Sequence, residues 1–149
     1  MKLKKVVEIV RIKQVINELE WEERFTVRCP EDAAEVAAKF IGDDDREVFL
    51  VMCLNTKNDV VAVHRAHVGG LNASLVIPRE VFKAAILNNS RSVIFAHNHP
   101  SQNCSPSRED IEVTQRLVEC GKILGIDVMD HLIVNASAKF VSLKEKGYI

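Results

Sequence analysis

Apolar and polar positions alternate over residues 6–16, where Val6, Glu8, Val10 and Ile12 are set against Val7, Ile9, Arg11 and Lys13. A period of two predicts a β-strand, and charges on both faces place it at a sheet edge. Residues 17–24 are acidic and predict a linker or exposed loop. Trp21 within it would pack back on the domain or mark a contact surface. Pro30 then suits the first turn of a helix whose apolar stripe is Ala33, Val36, Ala37, Phe40 and Ile41, with Gly42 at C′. Residues 43–46 (Asp-Asp-Asp-Arg) are a solvated loop.

From Val48 to Leu54 no polar residue interrupts the chain, the pattern of a strand buried on both faces. Residues 55–58 have turn chemistry, and Val60 to Val63 return as a second strand. Gly69 and Gly70 break the chain before a third short strand near residues 75–77. Pro78 starts a helix with the stripe Val81, Phe82, Ala85 and Ile86, ended by Asn88 and Asn89. A strand over residues 93–97 precedes a helix from Arg108, with Ile111, Leu117, Val118 and Leu124 inward and Gly125 closing it. Residues 128–134 and 140–143 read as final strands joined by residues 135–138. The order βαβββαβαββ predicts an α+β domain with a central mixed sheet flanked by helices.

At 149 residues the chain has the length of one domain with a single real core, and its 47% hydrophobic and 28% charged content is that of a soluble globular protein. A net charge of −1 supplies no field toward nucleic acid or a membrane, despite a small basic patch at residues 1–5. Neither an apolar run of membrane-spanning length nor a signal-peptide core is visible. Cys29, Cys53, Cys104 and Cys120 are dispersed, with no C-x-x-C pair. This disfavours a zinc knuckle and a disulfide framework, and fits reduced thiols in a cytoplasm.

The chemistry concentrates in residues 93–110. Strand alternation sends His97 and His99 to the same side. Pro100 ends the strand's pairing, and Asp110 lies in the first turn of the following helix, able to fold back toward both imidazoles. Two nitrogens and a carboxylate oxygen with a fourth position for water form the ligand set of a catalytic zinc site, although iron and manganese also accept these ligand types. Ser107-x-x-Asp110 is at the same time a capping-box start, in which the hydroxyl caps the helix.

His97-x-His99-Pro, seven residues and then Ser107-x-x-Asp110 resembles the pattern of the JAMM (MPN+) metalloproteases. Leu54-Asn-Thr-Lys-Asn, Pro78-Arg-Glu-Val-Phe-Lys-Ala-Ala, Pro106-Ser-Arg-Glu-Asp and Asp130-His-Leu-Ile-Val narrow the resemblance to the RadC group. It runs from about Phe25 to Ile149, dividing the chain into an edge strand and acidic linker (1–24) and a RadC-like JAMM/MPN domain (25–149). The fold this implies is a JAMM/MPN-like mixed sheet flanked by helices, of cytidine-deaminase-like architecture.

The activity it implies is cleavage of an amide or isopeptide bond in a protein or peptide-like substrate, with one zinc per chain held by His97, His99 and Asp110. By the same match Ser107 donates to the oxyanion and Glu47 is the general base. Read without the resemblance, Glu47 is a solvated charge beside other acids. Glu80 and Glu109 are lesser candidates, since Glu80 suits a helix start and Glu109 points elsewhere on its helix. Asp130 and His131 either orient a ligand or form a buried structural pair. His64 and His67 have no partner at metal spacing and read as surface histidines.

The chain departs from the family in the loop Gln102-Asn103-Cys104-Ser105. Cys104 there would lie close to the metal, as a bystander, an extra soft ligand or an oxidation-sensitive site. Gly70 and Ile77 stand where relatives often carry polar residues, which touches substrate contacts. RadC relatives are labelled DNA-repair proteins and carry an N-terminal helical segment with a DNA-binding motif; with about 24 residues before the match, that role is not carried over. Direct DNA binding by this chain alone is not expected, and neither is a membrane association. A homodimer would form through residues 6–16 and Trp21.

Two other functional classes stay open: an accessory module in DNA metabolism with a structural metal, and a metal-dependent nuclease. The latter lacks a second carboxylate cluster for a two-metal clamp. The consecutive His97-Asn98-His99 is not an HNH nuclease motif, whose residues spread over a β-β-α unit. A deaminase is disfavoured because H-x-E and P-C-x-x-C elements are missing.

Overall fold

The uninterrupted apolar run Val48–Leu54 (β1) lies near the middle of the molecule, buried at every position. The computed structural model describes residues 1–20 and 25–149. Helix α1 (Pro30–Ile41) precedes β1, and Val60–Val68 (β2) follows it. Two short helices, α2 (Pro78–Val81) and α3 (Lys83–Leu87), lead into β3 (Ser92–Asn98). The long helix α4 (Arg108–Leu124) connects to β4 (Asp127–Val134), and β5 (Phe140–Ser142) ends the sheet. The strand order is β2-β1-β3-β4-β5, with β3 and β4 parallel and the other pairs antiparallel. α4 is the crossover that a parallel pair requires. This is the expected α+β architecture.

Both faces of the sheet are covered, which explains why β1 and β3 carry apolar residues without alternation. On one face Ala33, Val36, Ala37 and Ile41 of α1 pack on Leu50, Met52, Ile94, Ala96, Leu132 and Val134. On the other, Val113 and Leu117 of α4, with Val81, Phe82 and Ala85, pack on Phe49, Val51, Val93 and Phe95. Each fully buried large side chain contributes roughly 1.5–3 kcal/mol. Asp130 supports the β4–β5 corner, accepting from the Ser142 hydroxyl (2.6 Å) and the amides of His131 (2.7 Å) and Lys144 (3.2 Å).

Several elements differ from the sequence pattern. Residues 6–16 form no strand and are exposed throughout. Alternation states which face a strand would bury but supplies no partner, and among the described residues no strand pairs with this segment. Gln14 joins the segment to the domain, accepting from Asn88 Nδ2 at 3.0 Å. Trp21 and the end of the acidic stretch lie outside the described residues.

Residues 75–77 are not a strand either, because Asn72 folds the chain locally. Its Oδ1 accepts from the amides of Ser74 and Leu75, both at 3.0 Å, a turn chemistry that competes with sheet pairing. The helix from Pro78 breaks at Phe82, whose backbone (φ −89°, ψ −6°) lies in the bridge region. Its ring packs edge-on to Phe95, and after the break Ala85 faces inward while Ile86 is exposed.

In α4 the inward stripe is Asp110, Val113, Thr114, Leu117 and Gly121, whereas Leu124 is exposed and Ile111 half-buried. Two members of that stripe are polar, so a hydrophobic pattern misplaces the helix face. Gly42 is right-handed (φ −59°), not a left-handed C′ residue. It is required for close approach instead: a Cβ would stand 2.7 Å from the Ala38 carbonyl oxygen and 2.9 Å from that of Asn135.

Candidate metal centre

The α4 face of the sheet changes character at the C-terminal end of β3. Phe95 belongs to the core, and two residues later, on the same face, stands His97, fully buried. His99 follows just beyond the strand, at the rim. Asp110 reaches them from the first turn of α4, held there by the capping box. Ser107 Oγ accepts from the Asp110 amide (3.1 Å), and Asp110 Oδ2 accepts from the Ser107 amide (2.8 Å). The cap that starts the helix therefore also aims the carboxylate.

The three candidate ligand groups form a compact triangle, with one carboxylate oxygen toward each imidazole. His97 Nε2 is 3.0 Å from His99 Nε2 and 3.3 Å from Asp110 Oδ1, and His99 Nε2 is 3.2 Å from Asp110 Oδ2. A tetrahedral metal with bonds of about 2.0–2.1 Å has ligand–ligand edges of roughly 3.3–3.4 Å, close to these separations. The donor set fits as well. His99 Nδ1 donates to the Asn103 carbonyl at 2.7 Å, so in its neutral form the lone pair is on Nε2, turned toward Asp110. With both imidazoles neutral, these nitrogen lone pairs and the carboxylate would face one another, an arrangement that a proton or a metal ion between them relieves. His97, His99 and Asp110 could hold a metal ion.

The electrostatics agree with a site built for positive charge. Burial opposes ionisation of Asp110, but the facing imidazoles of His97 and His99 outweigh it and hold the carboxyl well below the usual carboxylate range. The hydrogen bond to Asp110 raises His99 above an ordinary histidine, against the effect of its partial burial. His131, fully buried behind His97, is pushed well below the ordinary value by desolvation and then by the neighbouring His97, so it is neutral.

The triangle opens on a cleft of about 470 Å³ lined by Glu47, Gly70, Leu71, His99, Pro100, Ser101, Ser107, Glu109 and Asp110. Glu47, half-buried, immediately precedes β1, and its backbone is fixed on three sides. Its carbonyl accepts from the Gly69 amide (2.8 Å). Asn98 Nδ2 donates to the Arg46 carbonyl (2.9 Å), and Asn98 Oδ1 accepts from the Val48 amide (2.8 Å). Glu47 Oε2 lies beside Gly70, 3.8 Å from where a Cβ would stand, an ordinary van der Waals separation.

Glu47 and Ser107 thus share one cleft with His99 and Asp110, and His97 lies buried behind those two. Glu109, read as pointing elsewhere, also lines it. Glu80 does not; it is exposed and paired with Lys83 Nζ at 2.9 Å. Cys104 faces the β4–β5 turn, its Sγ donating to the Lys139 carbonyl at 3.5 Å, and burial pushes its thiol up, away from the thiolate form. It belongs neither to the ligand triangle nor to the cleft lining. His67, near the end of β2, has its Nε2 3.3 Å from the Gly70 carbonyl oxygen and does not line the cleft.

Asn98 and Thr114 were not singled out by motif or periodicity. A signal existed for Asn98: an amide that continues a buried apolar strand must find hydrogen-bond partners. Thr114, four residues after Asp110, looks like an ordinary helix residue in the sequence.

A mixed sheet crossed by one long helix, with His-x-His at the end of a central strand and an aspartate in the next helix's first turn, defines a JAB/MPN-type domain. The chain belongs to the RadC-like JAB domain family, which matches residues 27–148. It is 50% identical over 134 residues to a UPF0758 protein of Geobacillus thermodenitrificans, covering 90% of this chain and 59% of that protein. The UPF0758 protein of Geobacillus kaustophilus is 52% identical over 127 residues (85% and 56%), and that of Bacillus cereus strain AH187 is 51% identical over 131 residues (88% and 58%). The chain spans less than three fifths of the length of these relatives, and their names assign no activity. Among the described residues, no helix is long and apolar enough to cross a membrane.

Proposed function

We propose that this domain is a zinc-dependent hydrolase of amide or isopeptide bonds. His97, His99 and Asp110 would hold the ion. Two imidazoles and one carboxylate with an open side are the donor set of a catalytic zinc. The observation that carries the reading is that this open side gives onto the cleft where Glu47 and Ser107 also stand. Bound zinc would polarise a substrate carbonyl and acidify a water at neutral pH.

The chain's own residues supply the rest. Glu47 would accept a proton from the attacking water and return it to the leaving amine, the role of a general base that becomes a general acid. Its backbone anchoring by Asn98 and Gly69 serves that role, because proton transfer requires a carboxylate at hydrogen-bond reach. Ser107 Oγ accepts from the Asp110 amide, which leaves its own proton free to donate to a developing oxyanion. Capping the helix and stabilising the oxyanion are therefore compatible.

The test combines metal analysis with one conservative substitution. Reconstituted chain should carry about one zinc, and Glu47→Gln should keep that zinc while losing hydrolysis of peptide and isopeptide substrates. Folded protein that takes up no zinc would overturn the reading. Biological activity surviving Glu47→Gln, together with unfolding on loss of the metal ligands, would replace it with a structural-metal module.

A further inference from the structure

We infer that Thr114 and His131 form a one-way hydrogen-bond chain that fixes which nitrogen of His97 is bare, and so act as positioning residues for metal binding. The inference rests on the metal-binding half of the proposal above and not on hydrolysis. Four contacts carry it. Thr114 Oγ1 lies 2.6 Å from the Asp110 carbonyl oxygen and 2.5 Å from His131 Nδ1, and His131 Nε2 lies 2.6 Å from His97 Nδ1. At the far end, His97 Nε2 faces Asp110 Oδ1 at 3.3 Å.

The polarity follows from the carbonyl, which can only accept. The single hydroxyl proton of Thr114 must point at the Asp110 oxygen. The Thr114 oxygen is then an acceptor toward His131, so His131 carries its proton on Nδ1 and leaves Nε2 bare. His97 must therefore supply the proton of the next bond from Nδ1, and its own Nε2 is left with a lone pair directed at Asp110 and His99. Running the chain backwards would set two oxygen lone pairs against each other at 2.6 Å. It would also place a proton on His97 Nε2, where a metal would bind.

Thr114, His131 and His97 are all fully buried, so no water competes to reverse the order. The chain starts at the main chain of Asp110 and returns to its carboxylate. One residue thereby ties the tautomer of a second ligand to the helix turn that positions the first. The same logic operates separately on His99, through Asn103.

The experiment uses the ¹⁵N-labelled full chain. Long-range ¹H–¹⁵N spectra of the metal-free protein should show both His97 and His131 protonated on Nδ1. Thr114→Val removes the acceptor while keeping the side-chain shape. It should mix the tautomers of both rings and weaken zinc binding by about 10- to 100-fold in competition with a chromophoric chelator. Thr114→Ser should restore both readouts. His97 protonated on Nε2 in the unsubstituted chain would overturn the inference without recourse to any variant. So would a folded Thr114→Val protein with unchanged tautomers and zinc affinity. If the unsubstituted chain shows the expected tautomers but binds no zinc, the positioning role fails together with the metal proposal.

Discussion

The two faces of the central sheet are built from the same strands and end differently. Beneath α1 an apolar cluster runs from Val36 and Ile41 to Leu50, Ile94 and Leu132. Beneath α4 an equally apolar layer of Phe49, Phe95 and Leu117 passes, within one turn of helix and two residues of strand, into His97, His131, Thr114 and Asp110. The first face is governed by area and shape, which tolerate conservative exchange. The second contains buried polar groups that are stable because each is matched to a partner, and removing one partner leaves another stranded. The candidate metal ligands thus stand on a face that also carries its own part of the core.

The largest separation of the two faces is expected from His99→Ala. His99 sits at the rim, so the variant should fall from about one zinc per chain to almost none by metal analysis. Its denaturation in chelator should stay within about 1 kcal/mol of the unsubstituted protein. Leu50→Ala on the α1 face should do the reverse. It should destabilise by roughly 2–5 kcal/mol in denaturant unfolding while the folded fraction binds zinc with unchanged affinity.

A pH series sharpens the comparison. His131 is depressed below its unfolded value, so the unfolded chain binds a proton below pH about 6.5 that the native chain refuses. The stability associated with it is present above that pH and lost as pH falls, at up to about 1.4 kcal/mol per pH unit. Metal-free protein should therefore lose its advantage over His131→Asn as pH drops from about 6.5 toward 5; an advantage that grows would contradict a neutral His131. The smallest effect belongs to Ser107→Ala, where loss of the cap should cost about 1 kcal/mol in thermal unfolding.

Much of this organisation is legible along the chain where the cause is local. Pro30 and the stripe through Ile41 define α1, the apolar run from Val48 defines β1, and Ser107-x-x-Asp110 defines both a helix start and a carboxylate that folds back. Where a distant partner decides, the pattern misleads. Residues 6–16 alternate like a strand and pair with nothing described. Residues 75–77 yield to the Asn72 turn. Leu124 has the hydropathy of a core residue, yet the polar Thr114 occupies the buried stripe.

By itself, then, the sequence determined the α+β elements, the His97, His99 and Asp110 triplet and the family, because these depend on spacing within one strand, one loop and one helix turn. The tertiary structure decided which face each helix buries, that Asn98 clamps the backbone on either side of Glu47, and that Thr114, His131 and His97 stand in line. Those facts join residues 17 to 52 positions apart. Hydrogen-bond polarity across such gaps exists only once the chain has folded and water has been excluded.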